Sequence, residues 1–232
     1  MERSSNTKLE AYEYLAYYYD LLLSDTDSFS LWLKEIESEE FKDVLELASG
    51  SGLMAKILKE KGYNIIASDI SSSMKEAASK NFDGEYLILN MSNYKLYKKF
   101  DLILCICDSI NYLNEDELDS FFKCCYEHLN NSGRLIFDMH HLNRLNEFEN
   151  EYIEENTVDG LEYQWTIVSD KDSSTLNEHF TFYTPNGMIQ EQHLQNVFKP
   201  SLIIKKMKDL GYDVKYIEDF VKDEKVLLVG RK

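Results

Sequence analysis

Gly50 and Gly52 follow an apolar run at 44–47 and open a segment of helical character, and Asp69 stands about twenty residues further on, at the tip of a second apolar run. Strand, glycine turn, helix, strand and acid in that order are what a nucleotide-bearing cofactor needs. Without a Cβ, Gly50 and Gly52 let the backbone bend tightly and come close to a ligand. The helix that starts there turns free N–H groups and its positive dipole end toward the turn, and Asp69 is placed to bond a ribose hydroxyl.

Two cofactors fit this arrangement. Gly50, Gly52 and Ala55 satisfy the dinucleotide fingerprint G-x-G-x-x-G/A, so an NAD-dependent oxidoreductase is one reading. Other features favour S-adenosylmethionine (SAM). Roughly forty residues of Tyr-rich, helical-looking sequence precede the first strand, whereas a dinucleotide fold usually begins with that strand. Glu46 stands at the strand end, where an acid is unhelpful beside a pyrophosphate but suits a ligand carrying an ammonium and a sulfonium.

The segment 44–71 resembles motif I of the class I SAM-dependent methyltransferases. That family commonly has Ala-Cys-Gly-Thr-Gly in its small-molecule branch, and this chain has Ala48-Ser49-Gly50-Ser51-Gly52. FDLILCICDSINYL at 100–113 and GRLIFDMHH at 133–141 resemble the family's fourth and fifth strands. AYYYDLLL at 16–23 and SLIIKKMKDLGYDV at 201–214 fit as well, and the whole is similar to the bacterial YqeM-like branch. The resemblance implies transfer of a methyl group from SAM to a small-molecule acceptor through an N, O or C nucleophile, with NAD-dependent oxidation or non-catalytic SAM binding as the alternatives.

It also implies a site. Glu46, Ala48, Gly50, Gly52 and Asp69 would hold the cofactor, with Ile70 and Met74 near the adenine or simply packing a helix. Asn90, with Met91, ends the third strand where the family usually carries an Asp; its side-chain carbonyl can accept the same bond, or it is a plain turn residue. Cys107, Asp108, Ser109 and Tyr112 follow the fourth strand at the rim of the crevice, with helix capping the other role for Asp108. Tyr19 and Asp20 resemble the family's N-terminal pair, whose helix folds over the cofactor, and Tyr19 is a candidate both for cofactor contact and for catalysis. His140 matches a frequent family histidine and is the candidate base, with a surface turn as its other role. His128, His179 and His193 carry no motif.

The chain has 232 residues and a formal net charge of −17, which disfavours nucleic acid as partner because phosphate binding needs Lys and Arg. Cys105, Cys107, Cys124 and Cys125 lack metal-ligand spacing and read as free thiols, with no metal. No run approaches the ~20 apolar residues of a membrane span, and the N-terminus is polar, so a cytoplasmic monomer or homodimer is expected.

The expected fold is α/β: a Rossmann-like class I methyltransferase fold with a seven-stranded, mostly parallel sheet and helices on both faces. One domain, 1–232, divides into an N-terminal helical lid (1–40), a cofactor core (41–140), an antiparallel β-insert over the acceptor site (141–199) and a final helix and strand pair (200–232). Helices are expected at 8–23, 31–39, 52–61, 72–80, 115–129 and 201–210. Parallel strands are expected at 44–47, 64–68, 86–89, 102–107 and 134–138. Alternating segments at 152–158, 161–169, 175–184 and 188–198 read as antiparallel strands.

Overall fold

A computed structural model of the chain describes residues 5–9, 11–23 and 29–232. Its main sheet has seven strands in the order β11-β12-β6-β5-β2-β3-β4. These are β2 (Asp43–Glu46), β3 (Asn64–Asp69), β4 (Glu85–Ile88), β5 (Phe100–Cys105), β6 (Leu129–His140), β11 (Asp213–Val221) and β12 (Lys225–Arg231). Strands β2 to β6 pair in parallel, and β12 runs antiparallel to both β6 and β11. Val44, Leu45, Leu102, Ile103 and Leu104 have no exposed surface. A central parallel strand is covered on both faces, which is why these segments read as unbroken apolar runs.

Helices α2 (Phe29–Ile36), α3 (Leu53–Glu60) and α4 (Ser72–Ala78) cover one face, packing Trp32, Met54, Leu58 and Ala78 against Val44, Leu104 and Ile136. Helices α5 (Glu115–His128) and α7 (Pro200–Asp209) cover the other, where Phe121, Phe122, Ile203 and Met207 meet Leu45, Ile103 and Phe137. Each fully buried side chain of this size stabilises the fold by about 1.5–3 kcal/mol relative to exposure. A capping box starts α5: the Asn114 side chain accepts the Glu117 N–H at 3.0 Å and Glu117 accepts the Asn114 N–H at 2.9 Å, satisfying two otherwise orphaned donors.

A second sheet, β1-β10-β9-β8-β7, is built from β1 (Ser5–Leu9), β7 (Tyr152–Val158), β8 (Leu161–Asp170), β9 (Thr175–Thr184) and β10 (Gly187–Asn196). It docks on the first through the turn after β5. There Asn111 donates to the Asn196 carbonyl at 2.5 Å, and Asn196 donates to the Leu113 carbonyl at 3.0 Å.

The N-terminal segment departs from the expected helix at 8–23. Residues 5–9 form β1, which lies parallel to β10; a 3-10 turn follows at Leu15–Tyr17, and only Tyr19–Leu22 (α1) is α-helical. Two causes act together. Tyrosine is a mediocre helix former that suits sheets. The buried Glu191 carboxylate also accepts the backbone N–H groups of Tyr12, Tyr14 and Leu15, hydrogen bonds that an α-helix would not leave in place. Beyond β6, Arg144–Glu147 (α6) is the only helix described between His140 and Tyr152.

Candidate functional site

A cavity of about 460 Å³ opens at the C-terminal ends of β2, β3 and β5. Tyr19, Glu46, Ala48, Gly50, Asp69, Ile70, Met74, Met91, Cys107, Asp108, Ser109 and Tyr112 all line it. Gly52, Asn90 and His140 do not. The β2–α3 loop supplies the floor, and its backbone is held in the left-handed region at Ala48 (φ 51°), Gly50 (φ 53°) and Gly52 (φ 77°). The two glycines do different work. A Cβ on Gly50 would point at the Tyr19 ring, 4.0 Å away, whereas one on Gly52 would lie 3.1 Å from Phe82 Cβ and 3.4 Å from Ala78 Cβ. Gly50 keeps the loop open toward the cavity; Gly52 lets α3 start tightly against α4.

Asp69 holds this loop as well as facing the cavity, since its carboxylate accepts the Gly50 N–H at 3.0 Å and the Ser71 N–H at 2.9 Å. The Tyr86 hydroxyl donates to the Gly50 carbonyl at 2.6 Å from below. Glu46 is 2% exposed and accepts a hydrogen bond from the Ser49 hydroxyl at 2.8 Å. Burial pushes its carboxyl up to about 8, and the nearby Asp69 charge adds to the rise. Such a group gains from any cation brought beside it, so the acid at this position fits the ammonium and sulfonium of SAM better than a pyrophosphate.

Asp20, next to Tyr19, fastens α1 over the loop: it accepts from the Ser51 hydroxyl and, at 2.7 Å, from the Asn81 side chain just past the end of α4. Asn90 is turned away, its side-chain carbonyl taken by the Ser92 N–H at 2.9 Å and the Ser92 hydroxyl at 2.8 Å. The turn chemistry of Asn satisfies it locally.

The opposite wall contains an ionic cluster that the sequence pattern did not reveal. Cys107 and Asp108, in the turn after β5, have left-handed backbones (φ 59° and 60°), and their N–H groups donate to Asp138 on β6 at 2.7 and 3.0 Å. Trp32 Nε1 also donates to Asp138, at 3.0 Å. Lys225 of β12 lines the cavity and pairs with Asp108 and, at 3.4 Å, with Asp138. Burial works to raise the Asp108 carboxyl, but Lys225 and then His140 draw it below the usual carboxylate range. Burial dominates at Asp138 and moves its carboxyl up.

His140 lies behind this cluster. Its Nε2 is 2.7 Å from Gln195 Oε1 and its Nδ1 is 3.5 Å from Asp108 Oδ1, so both ring nitrogens face acceptors rather than the cavity. A third set of side chains reaches the cavity from the N-terminal segment and the turn after β5, backed by the second sheet. Tyr12 and Tyr112 line it with their hydroxyls 2.7 Å apart, and Tyr112 continues to His193 on β10. Periodicity gives no signal for Tyr12 or His193, because what places them is the docking of one sheet on the other.

The comparisons with known proteins agree with this geometry. A family described as a methyltransferase domain matches residues 44–133, the stretch from β2 to the start of β6 that carries the glycine loop, Asp69 and Asp108. The chain is 26% identical over 215 residues to YqeM of Bacillus subtilis (strain 168), covering 88% of this chain and 87% of that protein. It superposes on a SAM-dependent methyltransferase from Clostridium acetobutylicum ATCC 824 with a TM-score of 0.78 at 24% identity, covering 95% and 98% of the two chains. It superposes on a SAM-bound amino pentose methyltransferase from Micromonospora echinaspora with a TM-score of 0.75 at 15% identity, covering 94% and 96%. Residues 44–133 thus match a methyltransferase domain, and the whole chain has the fold of the class I methyltransferases.

Proposed function

We propose that this methyltransferase acts on a small molecule bearing an N–H or O–H nucleophile, an amine first among them, and that Glu46, Gly50 and Asp69 hold SAM while Tyr19 covers it. The observation that carries the reading is the size and lining of the cavity: about 460 Å³, within the range of small-ligand pockets, walled by Tyr12, Tyr19 and Tyr112 and edged by Asp108. Aromatic rings and carboxylates together suit a cationic amine. That the Micromonospora neighbour is an amino pentose methyltransferase supports amines as the first class to try.

When bound between Glu46, Gly50 and Asp69, SAM would supply an electrophilic methyl group for the acceptor's nucleophile. The chain's own contribution is position and exclusion of water. The loop and Asp69 fix the adenosyl end, Glu46 neutralises the cationic end, and Tyr19 with Asp20 keeps α1 closed over both. The free thiols Cys105, Cys107, Cys124 and Cys125 suit a reducing cytoplasm. The test is release of S-adenosylhomocysteine with free amino sugars, glycine, sarcosine, small phenols and transfer RNA as acceptors. Turnover confined to the small molecules supports the reading, and turnover with RNA alone would overturn it.

A further inference from the structure

Tyr12, Tyr112, His193 and Glu191 form a continuous row that leads out of the cavity into the second sheet. The Tyr12 and Tyr112 hydroxyls are 2.7 Å apart, and the Tyr112 hydroxyl is 3.0 Å from His193 Nδ1. His193 Nε2 lies 3.5 Å from Glu191 Oε2. The first two side chains line the cavity; the last two are 2% and 1% exposed and lie behind it. His193 Nε2 is buried with no hydrogen-bond partner closer than that carboxylate. Tyr12 is held with a left-handed backbone (φ 62°), its N–H donating to Glu191 and its carbonyl accepting from the Ser71 hydroxyl. That is a strained placement maintained from two sides, of the kind that clusters at functional sites.

We infer that this row is a proton relay, in which His193 receives the acceptor's proton through Tyr112 and Tyr12. The inference rests on the proposed protic acceptor. The acceptor's N–H or O–H bond breaks with its electron pair staying on the acceptor, and that proton bonds to the Tyr12 oxygen. The Tyr12 proton passes to the Tyr112 oxygen, and the Tyr112 proton passes to the lone pair of His193 Nδ1. Both phenols end as they began, and the imidazole becomes an imidazolium whose Nε2 lies 3.5 Å from the Glu191 carboxylate. After product leaves, the proton returns by the same row.

Burial, and then the neighbouring tyrosines, hold the Tyr12 hydroxyl well above the usual phenol range; burial and the Glu178 charge do the same for Tyr112. Both are therefore fit to pass a proton and unfit to keep a phenolate. The groups facing the His193 ring are Glu191 on its own strand, Glu178 directly opposite on β9, Tyr12 edge-on at 4.7 Å, Phe180 at 5.6 Å and Tyr112. Glu178 also accepts from Trp165 Nε1 at 3.1 Å, so two carboxylates stand ready to offset the charge gained by the ring. His140 has no such route, since neither of its nitrogens reaches the cavity.

The experiment uses the full chain saturated with S-adenosylhomocysteine and labelled with 15N-histidine, together with turnover on the amines named above. The expected His193 spectrum has an unprotonated Nδ1 that accepts a hydrogen bond and a proton on Nε2, and Tyr112→Phe, which removes one oxygen, should shift that Nδ1 signal. A proton on Nδ1 at pH 7–8 overturns the relay whether or not any acceptor has been found. With an active amine, Tyr112→Phe and His193→Gln should each lower kcat by about 10² to 10⁴ with KM and SAM affinity within about twofold, and flatten the pH–rate profile on its acidic side. Rates within about threefold of wild type between pH 5 and 9 overturn the relay and leave the methyltransferase reading standing. Failure of the wild-type chain to bind SAM would instead sink that reading.

Discussion

The two walls of the cavity are assembled in different ways. On the cofactor side, Glu46, Gly50 and Asp69 belong to one strand–helix–strand unit, and the bond from the Gly50 N–H to Asp69 joins residues only 19 positions apart. On the acceptor side, Tyr12 meets Tyr112 across 100 positions, and Tyr112 meets His193 across 81. The first wall is a local motif whose geometry is set by glycine and by the ends of parallel strands. The second exists only when the N-terminal strand, the turn after β5 and β10 have all docked. Cofactor binding should therefore survive many changes that abolish turnover, and the reverse should not occur.

The sharpest way to break that contrast is Gly50→Val. The left-handed φ strains any β-branched residue, and the added carbons would lie toward Tyr19, in the space proposed for the cofactor. SAM affinity should fall at least about 100-fold, removing the ~2.7 kcal/mol of thermal stabilisation that a ligand at 100 times its Kd confers. Calorimetry on the variant decides it, and unchanged affinity would mean that the loop is purely architectural.

A smaller effect concerns Glu46, whose carboxyl is raised to about 8 in the protein without ligand. A cationic ligand favours the ionised form, so binding should release a proton. Affinity for SAM should then rise with pH, by up to about tenfold per unit between pH 5.5 and 7.5, and Glu46→Gln should flatten that slope. Stability without ligand should run the opposite way. The folded chain holds this proton over a range where the unfolded chain, with an ordinary Glu, has lost it. The group's contribution is thus complete below about pH 4.3 and is lost as pH rises toward 8. Proton release measured in two buffers of different ionisation enthalpy checks the first part, and thermal melts across the same range check the second.

Gly52→Ala separates packing from binding. Its Cβ would press on Phe82 at 3.1 Å from a left-handed backbone, so about 1–2 kcal/mol of stability and about 2 to 8 °C of Tm should be lost, with SAM affinity unchanged. A larger loss of affinity than of stability would move Gly52 into the cofactor wall. The mildest change is Asp20→Ala, which unfastens α1 from Ser51 and Asn81. A two- to tenfold loss of SAM affinity is expected, in line with the net worth of one or two partly solvated hydrogen bonds.

The seven-stranded sheet and the four long strands of the second sheet were legible because hydrophobic period and turn residues report which faces are covered, and those signals are local. Gly50, Asp69 and Glu46 were legible for the same reason, since a strand end followed by a glycine turn leaves few other geometries. The N-terminal segment was misread as a helix because its tyrosines carry no strong preference and its hydrogen-bond partner, Glu191, lies about 180 residues away. Asn90 shows the limit of motif matching: the position fits, but the side chain satisfies itself within its own turn.

What the sequence determined alone is the order of elements from β2 onward and the strand–glycine-turn–helix loop, because each follows from short-range periodicity and from the backbone freedom of glycine. What only the tertiary structure decided is the wall opposite the glycine loop. Lys225 reaches Asp108 and Asp138, and Glu191 clamps the N-terminal segment, through contacts between segments that no spacing rule connects. The orientation of two histidines was settled there too. His140, which stands in a motif, has both nitrogens turned to buried acceptors, while His193, which stands in none, is placed beside a cavity-lining tyrosine by the docking of one sheet on the other. Side-chain direction at such a junction depends on how two separately folded layers meet, and that information is spread over the whole chain.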